Sequence, residues 1–179
     1  MTGASSAPDA ADSGGPHLTL EKRLRAIEDE REIRDLVIRY AQLLDARDHR
    51  GYAALFAREG RWTGQMGDVV GPAAIEAMLL EAFGPTPAGF RNTADFHIMS
   101  NILVEVDGDR ARAESRLVYF VRGEGSPPAP MPCRAGRYHD ELVREEGKWR
   151  FAHRRVIAEI PTLEDAARAR AEQEEGERP

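Results

Sequence analysis

The sequence predicts an α+β domain in which a curved antiparallel sheet, with helices packed on its concave side, encloses a pocket. Three observations carry this expectation. An amphipathic helical pattern comes first, a long meander of alternating strands follows, and the signals Asp107-Gly108 and Glu145-Glu146-Gly147 fold that meander into hairpins. Long strands that bulge supply the bend by which a sheet encloses a cavity.

The first helix is expected over 18–48. Thr19, three residues before Lys22, is a weak cap, and Glu28, Asp29 and Glu30 suit a helix start or a kink. Ile33, Leu36, Val37, Tyr40, Ala41 and Leu44 recur at helical spacing and form one apolar stripe. Asp48 can cap a short second helix containing Tyr52, Leu55 and Phe56, which Gly60 ends. Arg61 to Gln65 reads as a short strand. Gly71-Pro72 opens another helix, with Ile75, Met78, Leu79, Ala82 and Phe83 as its buried face and Gly84, Pro85 and Pro87 as its stop.

The remainder reads as β. Ala94 to Val106 is one long strand. In the next, Asp109 to Val121, Ala111, Ala113, Ser115, Leu117 and Tyr119 face one way while Arg110, Arg112, Glu114 and Arg116 face the other. A Gly/Pro/Ser-rich loop spans Gly123 to Pro132, and Arg134 to Arg144 pairs with Lys148 to Ile160. The ordered domain is expected over 18–163. Residues 1–17, rich in Ala, Ser, Gly, Asp and Pro, read as a disordered tail, and 164–179 as a tail of helical composition.

With 179 residues the chain suits one domain, and 41% hydrophobic residues are close to the globular norm. A net charge of −6 argues against nucleic acid as a partner, since phosphate contacts need a basic face. Cys133 is the only cysteine, which excludes an internal disulfide or a cysteine-based zinc site and leaves a buried or idle thiol. There is no apolar run of membrane-spanning length and no basic-then-apolar leader, so the expectation is a cytoplasmic protein without a membrane partner. Neither HxH nor HExxH occurs, nor a glycine-rich or Walker nucleotide fingerprint, so neither metal nor cofactor is expected.

Ionisable residues inside apolar patterns are the candidates for chemistry. Tyr40 lies within the helix stripe, and Asp45 at its edge, in the row of Val37 and Ala41. His97 lies between Phe96 and Ile98 and is expected to share a face with Met99, Asn101 and Leu103. Tyr40 and Asp45 are five positions apart, about 140° around a helix, so spacing alone does not bring them together. Each also has a bland reading: Asp45 as a solvated or capping residue, His97 as a satisfied rim residue, Tyr40 as packing. His139 and His153 fall in the last two strands, where either can line the pocket or stay hydrated, and His17 and His49 read as exposed.

The run from Ile33 to Asp45 resembles the opening helix of the SnoaL-like branch of the NTF2-like superfamily. Tyr52 to Phe56, Gly60-Arg61-Trp62, Gly71 with Ile75, His97 to Asn101, Gly136 to Asp140 and Gly147 to Phe151 continue the likeness from about Leu20 to Ile160. The resemblance implies the NTF2-like cone. It also implies catalytic roles for three residues, since Tyr40, Asp45 and His97 match the tyrosine, aspartate and histidine of bile-acid 7α-dehydratase. Asp45 and His97 match the pair used by scytalone dehydratase and hexachlorocyclohexane dehydrochlorinase. Leu117 to Val121 lacks the second pocket histidine of scytalone dehydratase, which argues against a scytalone-type substrate.

The resulting expectation is a cofactor-independent dehydratase or isomerase, a homodimer or homotrimer, acting on a hydrophobic steroid- or polyketide-like molecule. His97 takes a proton from carbon, Asp45 orients the imidazole, and Tyr40 donates to the substrate oxygen. Trp62, Phe90, Phe96 and Met99, with Asn101, Tyr119 and His139, are the expected substrate-binding residues. The rivals are a small-molecule-binding or accessory protein with an inert pocket, and a partner subunit like the β-subunit of ring dioxygenases.

Overall fold

Two layers organise the chain: three helices on one side of a six-stranded curved sheet. The computed structural model describes residues 19–162 together with Glu164, Asp165, Ala167, Arg168 and Glu172. The expected N-terminal tail, and most of the C-terminal one, lie outside the described residues. In chain order the elements are α1 (Leu20–Asp45), α2 (His49–Ala53), β1 (Phe56–Gly64), β2 (Gly67–Val70), α3 (Pro72–Phe83), β3 (Asp95–Asp107), β4 (Arg110–Arg122), β5 (Pro130–Glu145) and β6 (Lys148–Ile160).

α1 starts where Thr19 caps it and continues unbroken through Glu28-Asp29-Glu30. No kink forms there because Asp29 is a buried anchor that accepts hydrogen bonds from Arg144 (2.6 Å) and Trp149 (3.3 Å) at the second hairpin. The stripe Ile33, Val37, Tyr40, Ala41 and Leu44 is buried against the sheet, and α1 packs chiefly on β3. Burying such side chains stabilises by about 1.5–3 kcal/mol each.

Asp48 caps α2 through Gly51 N at 2.8 Å, but α2 ends at Ala53, and Phe56 belongs to β1 instead. The tertiary pull is visible at Leu55, whose carbonyl accepts from Phe151 N of β6 at 3.0 Å. Gly60 lies inside β1 rather than ending a helix. A Cβ there would sit 2.6 Å from the Phe151 carbonyl oxygen, so glycine permits β1 and β6 to approach. The short β2, unforeseen in the sequence, pairs antiparallel with β1. Gly71, at φ 84, then turns the chain into α3.

The sheet order is β2-β1-β6-β5-β4-β3. The four long strands expected are β3 to β6, all paired antiparallel; only β1 with β6 is parallel, so the sheet is mixed at that one seam. Between β1 and β6 the chain runs through β2, α3, β3, β4 and β5, a connection long enough for parallel pairing.

Two bulges set which side chains face the helices. Between Ser100 and Leu103 the β3–β4 register shifts, with Asn101 at φ 49. His97 and Met99 therefore face inward before the bulge, and Ile102, Val104 and Val106 after it. The expected common face of His97 with Asn101 and Leu103 is thereby broken, and both of the latter are exposed. In β5 the extra residue is Cys133: Tyr119 pairs with Arg134 and Phe120 with Pro132. β5 starts four residues before the expected Arg134, and Cys133 is exposed. Among the described residues no helix is long and apolar enough to cross a membrane.

Candidate functional site

The end of α1 is pinned to the start of β3, and that pinning builds the site. Arg47 leaves the helix at φ 56, donates to the Leu44 carbonyl at 2.9 Å, and grips both carboxylate oxygens of Asp95 at 2.8 and 3.0 Å. Asn92 bridges the Asp45 carbonyl (2.9 Å) and Asp95 (3.0 Å). Asp45, the last residue of α1, is thus delivered onto β3.

Asp45 meets His97 through both oxygens. Oδ2 accepts from the His97 backbone N–H at 3.0 Å, and Oδ1 lies 2.6 Å from Nδ1. A carboxylate there assigns the ring proton to Nδ1 and leaves Nε2 as the free lone pair. The Tyr119 ring, opposite His97 on β4, packs 4.6 Å from the imidazole. Burial, with the charge of Asp95, holds the Tyr119 hydroxyl above the ordinary phenol range.

His97 and Tyr119 stand in the wall of a cavity of about 310 Å³. Its walls are mostly apolar, supplied by Tyr40, Leu44, Trp62, Leu117, Tyr138 and Val156. Trp62 Nε1 donates to Tyr40 Oη at 3.0 Å, which fixes the tyrosine hydroxyl at the wall. The residues expected to be catalytic, Tyr40, Asp45 and His97, are thus gathered: two line one cavity and the third is bonded to His97.

The expected substrate-binding residues divide. Trp62 and Tyr119 line the cavity, whereas Met99 faces inward but packs into the core beside it. Phe96 stacks on Phe120 on the outer face (centroids 5.1 Å, planes 4° apart), because it alternates with His97. Phe90 is exposed in the loop after α3, and the β3 bulge turns Asn101 outward. His139 alternates with buried Tyr138 and Asp140 and so faces outward, 3.8 Å from Glu114. His153 is outward too, 2.9 Å from Thr63 Oγ1, and burial with the nearby Arg155 lowers its pKa. His49, expected to be exposed, is 6% exposed because its ring stacks against Phe83 of α3. His17 lies outside the described residues.

The sequence reading missed three arginines. Arg47 lines the cavity, with its guanidinium 4.4 Å over the Phe83 ring. Arg134 lines the same cavity from β5. Arg154 is fully buried behind the cavity, 3.7 Å over the Tyr40 ring and 3.9 Å over Tyr138, with Asp140 at 3.3 Å. Burial pushes the Asp140 carboxyl up to about 6 against the pull of Arg154, and raises the Tyr52 and Tyr138 hydroxyls well above the phenol range. One signal for Arg154 was readable: Asp140 sits in an apolar alternation with Tyr138 and Leu142, and a buried acid needs a cation. Among the described residues no three His, Cys, Asp or Glu side chains gather in metal-binding fashion.

Residues 25–155 match the family model of the SnoaL-like domain. An NTF2-like protein with a cystatin-like fold from Novosphingobium aromaticivorans superposes with a TM-score of 0.67 at 28% identity, over 87% of this chain and 97% of that one. A candidate scytalone dehydratase from the same organism gives 0.60 at 24% identity, over 77% and 88% of the two chains. LinA gives 0.63 at 19% identity, over 76% and 90%. The last two likenesses are of fold. No protein of curated function matches the sequence significantly.

Proposed function

The chain belongs to the SnoaL-like domain family, and on that premise we propose that it is a cofactor-independent acid–base enzyme, a dehydratase or isomerase acting on a hydrophobic cyclic molecule. One observation carries this reading: the 2.6 Å contact of Asp45 with His97 Nδ1, at the wall of an apolar cavity. A histidine so held has its remaining nitrogen free as a base, and the carboxylate stabilises the imidazolium that forms.

In the dehydration, Nε2 of His97 takes a proton from the carbon next to a carbonyl. The electron pair of that C–H bond becomes the new C=C bond, and the hydroxyl on the β-carbon leaves. It departs as water, taking the proton that the imidazolium returns. In the isomerisation no group leaves, and the same proton returns at another carbon. Tyr40, held by Trp62 at the cavity wall, is the group assigned to the substrate oxygen.

The test is a mass-spectrometric screen of cyclic β-hydroxy ketones and enols with the wild type, His97→Ala and Asp45→Asn. Loss of water or isomerisation by the wild type, reduced about 10²–10⁴-fold in both variants, is the expected outcome. A ligand bound but never converted marks an inert pocket and refutes the enzymatic reading.

A further inference from the structure

The cavity carries one uncompensated charge. Two guanidinium groups line it, those of Arg47 and Arg134, and no acidic side chain does among the described residues. Arg47 is neutralised by its two bonds to Asp95. Asp45 is engaged by His97. Arg134 has neither a salt bridge nor a hydrogen-bond acceptor among the described residues. Arg134 is itself exposed, so this unpaired cation stands where the mostly apolar cavity meets solvent, placed to pair with a negative group on an entering molecule.

The register says where that anion sits relative to the base. His97 of β3 pairs with Tyr119 of β4, and Tyr119 pairs with Arg134 of β5. Directly opposite residues share a face, so the three form one row across the sheet. The extra residue at Cys133 creates this register: it places Arg134 opposite inward Tyr119 and leaves Pro132 opposite outward Phe120. Arg134 and His97 are thus two strand spacings apart, roughly 10 Å between backbones.

Resting on the proposed proton abstraction by His97, we propose that Arg134 selects the substrate, an apolar cyclic molecule bearing a carboxylate. The carboxylate pairs with the Arg134 guanidinium, the ring system fills the space beside Tyr119 and Leu117, and the acidic carbon lies at His97 Nε2. A neutral analogue of the same shape leaves Arg134 unpaired and binds more weakly.

Calorimetric titration of the full chain with 2-naphthylacetate, 4-cyclohexylbutanoate and their neutral carboxamides tests this without turnover. The wild type should bind at least one acid tenfold or more tighter than its amide, with a preference that shrinks as salt rises. Arg134→Ala should erase the preference while leaving amide binding unchanged, Arg134→Lys should keep most of it, and Arg134→Glu should reverse it toward 2-naphthylethylamine. Equal binding of acid and amide by the wild type, a preference that survives in Arg134→Ala, or no binding of either acid at millimolar concentration would overturn the proposal. His97→Ala separates the two readings. It should retain the anion preference, and it loses turnover only if the catalytic reading is also correct.

Discussion

His97 keeps its proton on Nδ1 because both oxygens of Asp45 are committed to it, one at the ring and one at the backbone N–H. The pair is therefore fixed in orientation as well as in tautomer. Asp45→Asn would offer an amide N–H where a carboxylate oxygen stood, disturb the tautomer, and cost about 10²-fold or more in turnover with circular dichroism unchanged. Tyr40→Phe removes one oxygen from the wall and strands Trp62 Nε1, so it should slow turnover less than either dyad variant. At this scale the sequence was only half legible. Position and chemistry singled out Tyr40, Asp45 and His97, but resemblance, not periodicity, joined them. Arg154 was passed over because a strand arginine is usually a surface residue, and only its partner Asp140 betrayed it.

Bulges and close approaches explain where elements departed from expectation. Alternation predicts a face only while the register holds, and one residue at φ 59 or 49 ends its authority. The turn at Gly108 was readable from Asp107-Gly108, whereas the bulge at Asn101 had no such signal and carried Asn101 and Leu103 to the outside. Phe96 and His139 misled for a simpler reason: both are outward partners of inward neighbours, His97 and Tyr138, and one residue of phase separates wall from exterior. β1 was cut short because Gly60 reads as a stop, although its role is proximity to β6. Gly60→Val should therefore destabilise by about 1–3 kcal/mol in urea unfolding through overpacking against the Phe151 carbonyl. Asp48→Ala should cost about 1 kcal/mol by removing the cap on α2.

Across the whole molecule, the polar centre behind the cavity couples stability to pH. Asp140 is buried against Arg154, whose guanidinium lies over the tyrosine rings of α1 and β5, and burial lifts the Asp140 carboxyl to about 6. A folded value above that of the unfolded chain means that the proton is held more tightly in the fold. The stability from this group is full below about pH 4 and is lost as pH rises through about 6. The urea midpoint of the wild type should carry this falling component, and Asp140→Asn should lack it. The helix-first order, both hairpins and the buried stripe of α1 were legible because each rests on a local period or turn. The parallel pairing of β1 with β6 was not, since it joins segments that no local pattern relates.

Proton abstraction by His97 is measured most directly as solvent exchange at carbon, which needs no leaving group. Bicyclic and tetracyclic ketones in deuterated water, 2-tetralone among them, would be followed by NMR for deuterium entering the position next to the carbonyl. The wild type should exchange at least one of them well above the rate of His97→Ala, with Asp45→Asn close to the alanine variant. Exchange by His97→Ala at the wild-type rate on every ketone would contradict the account.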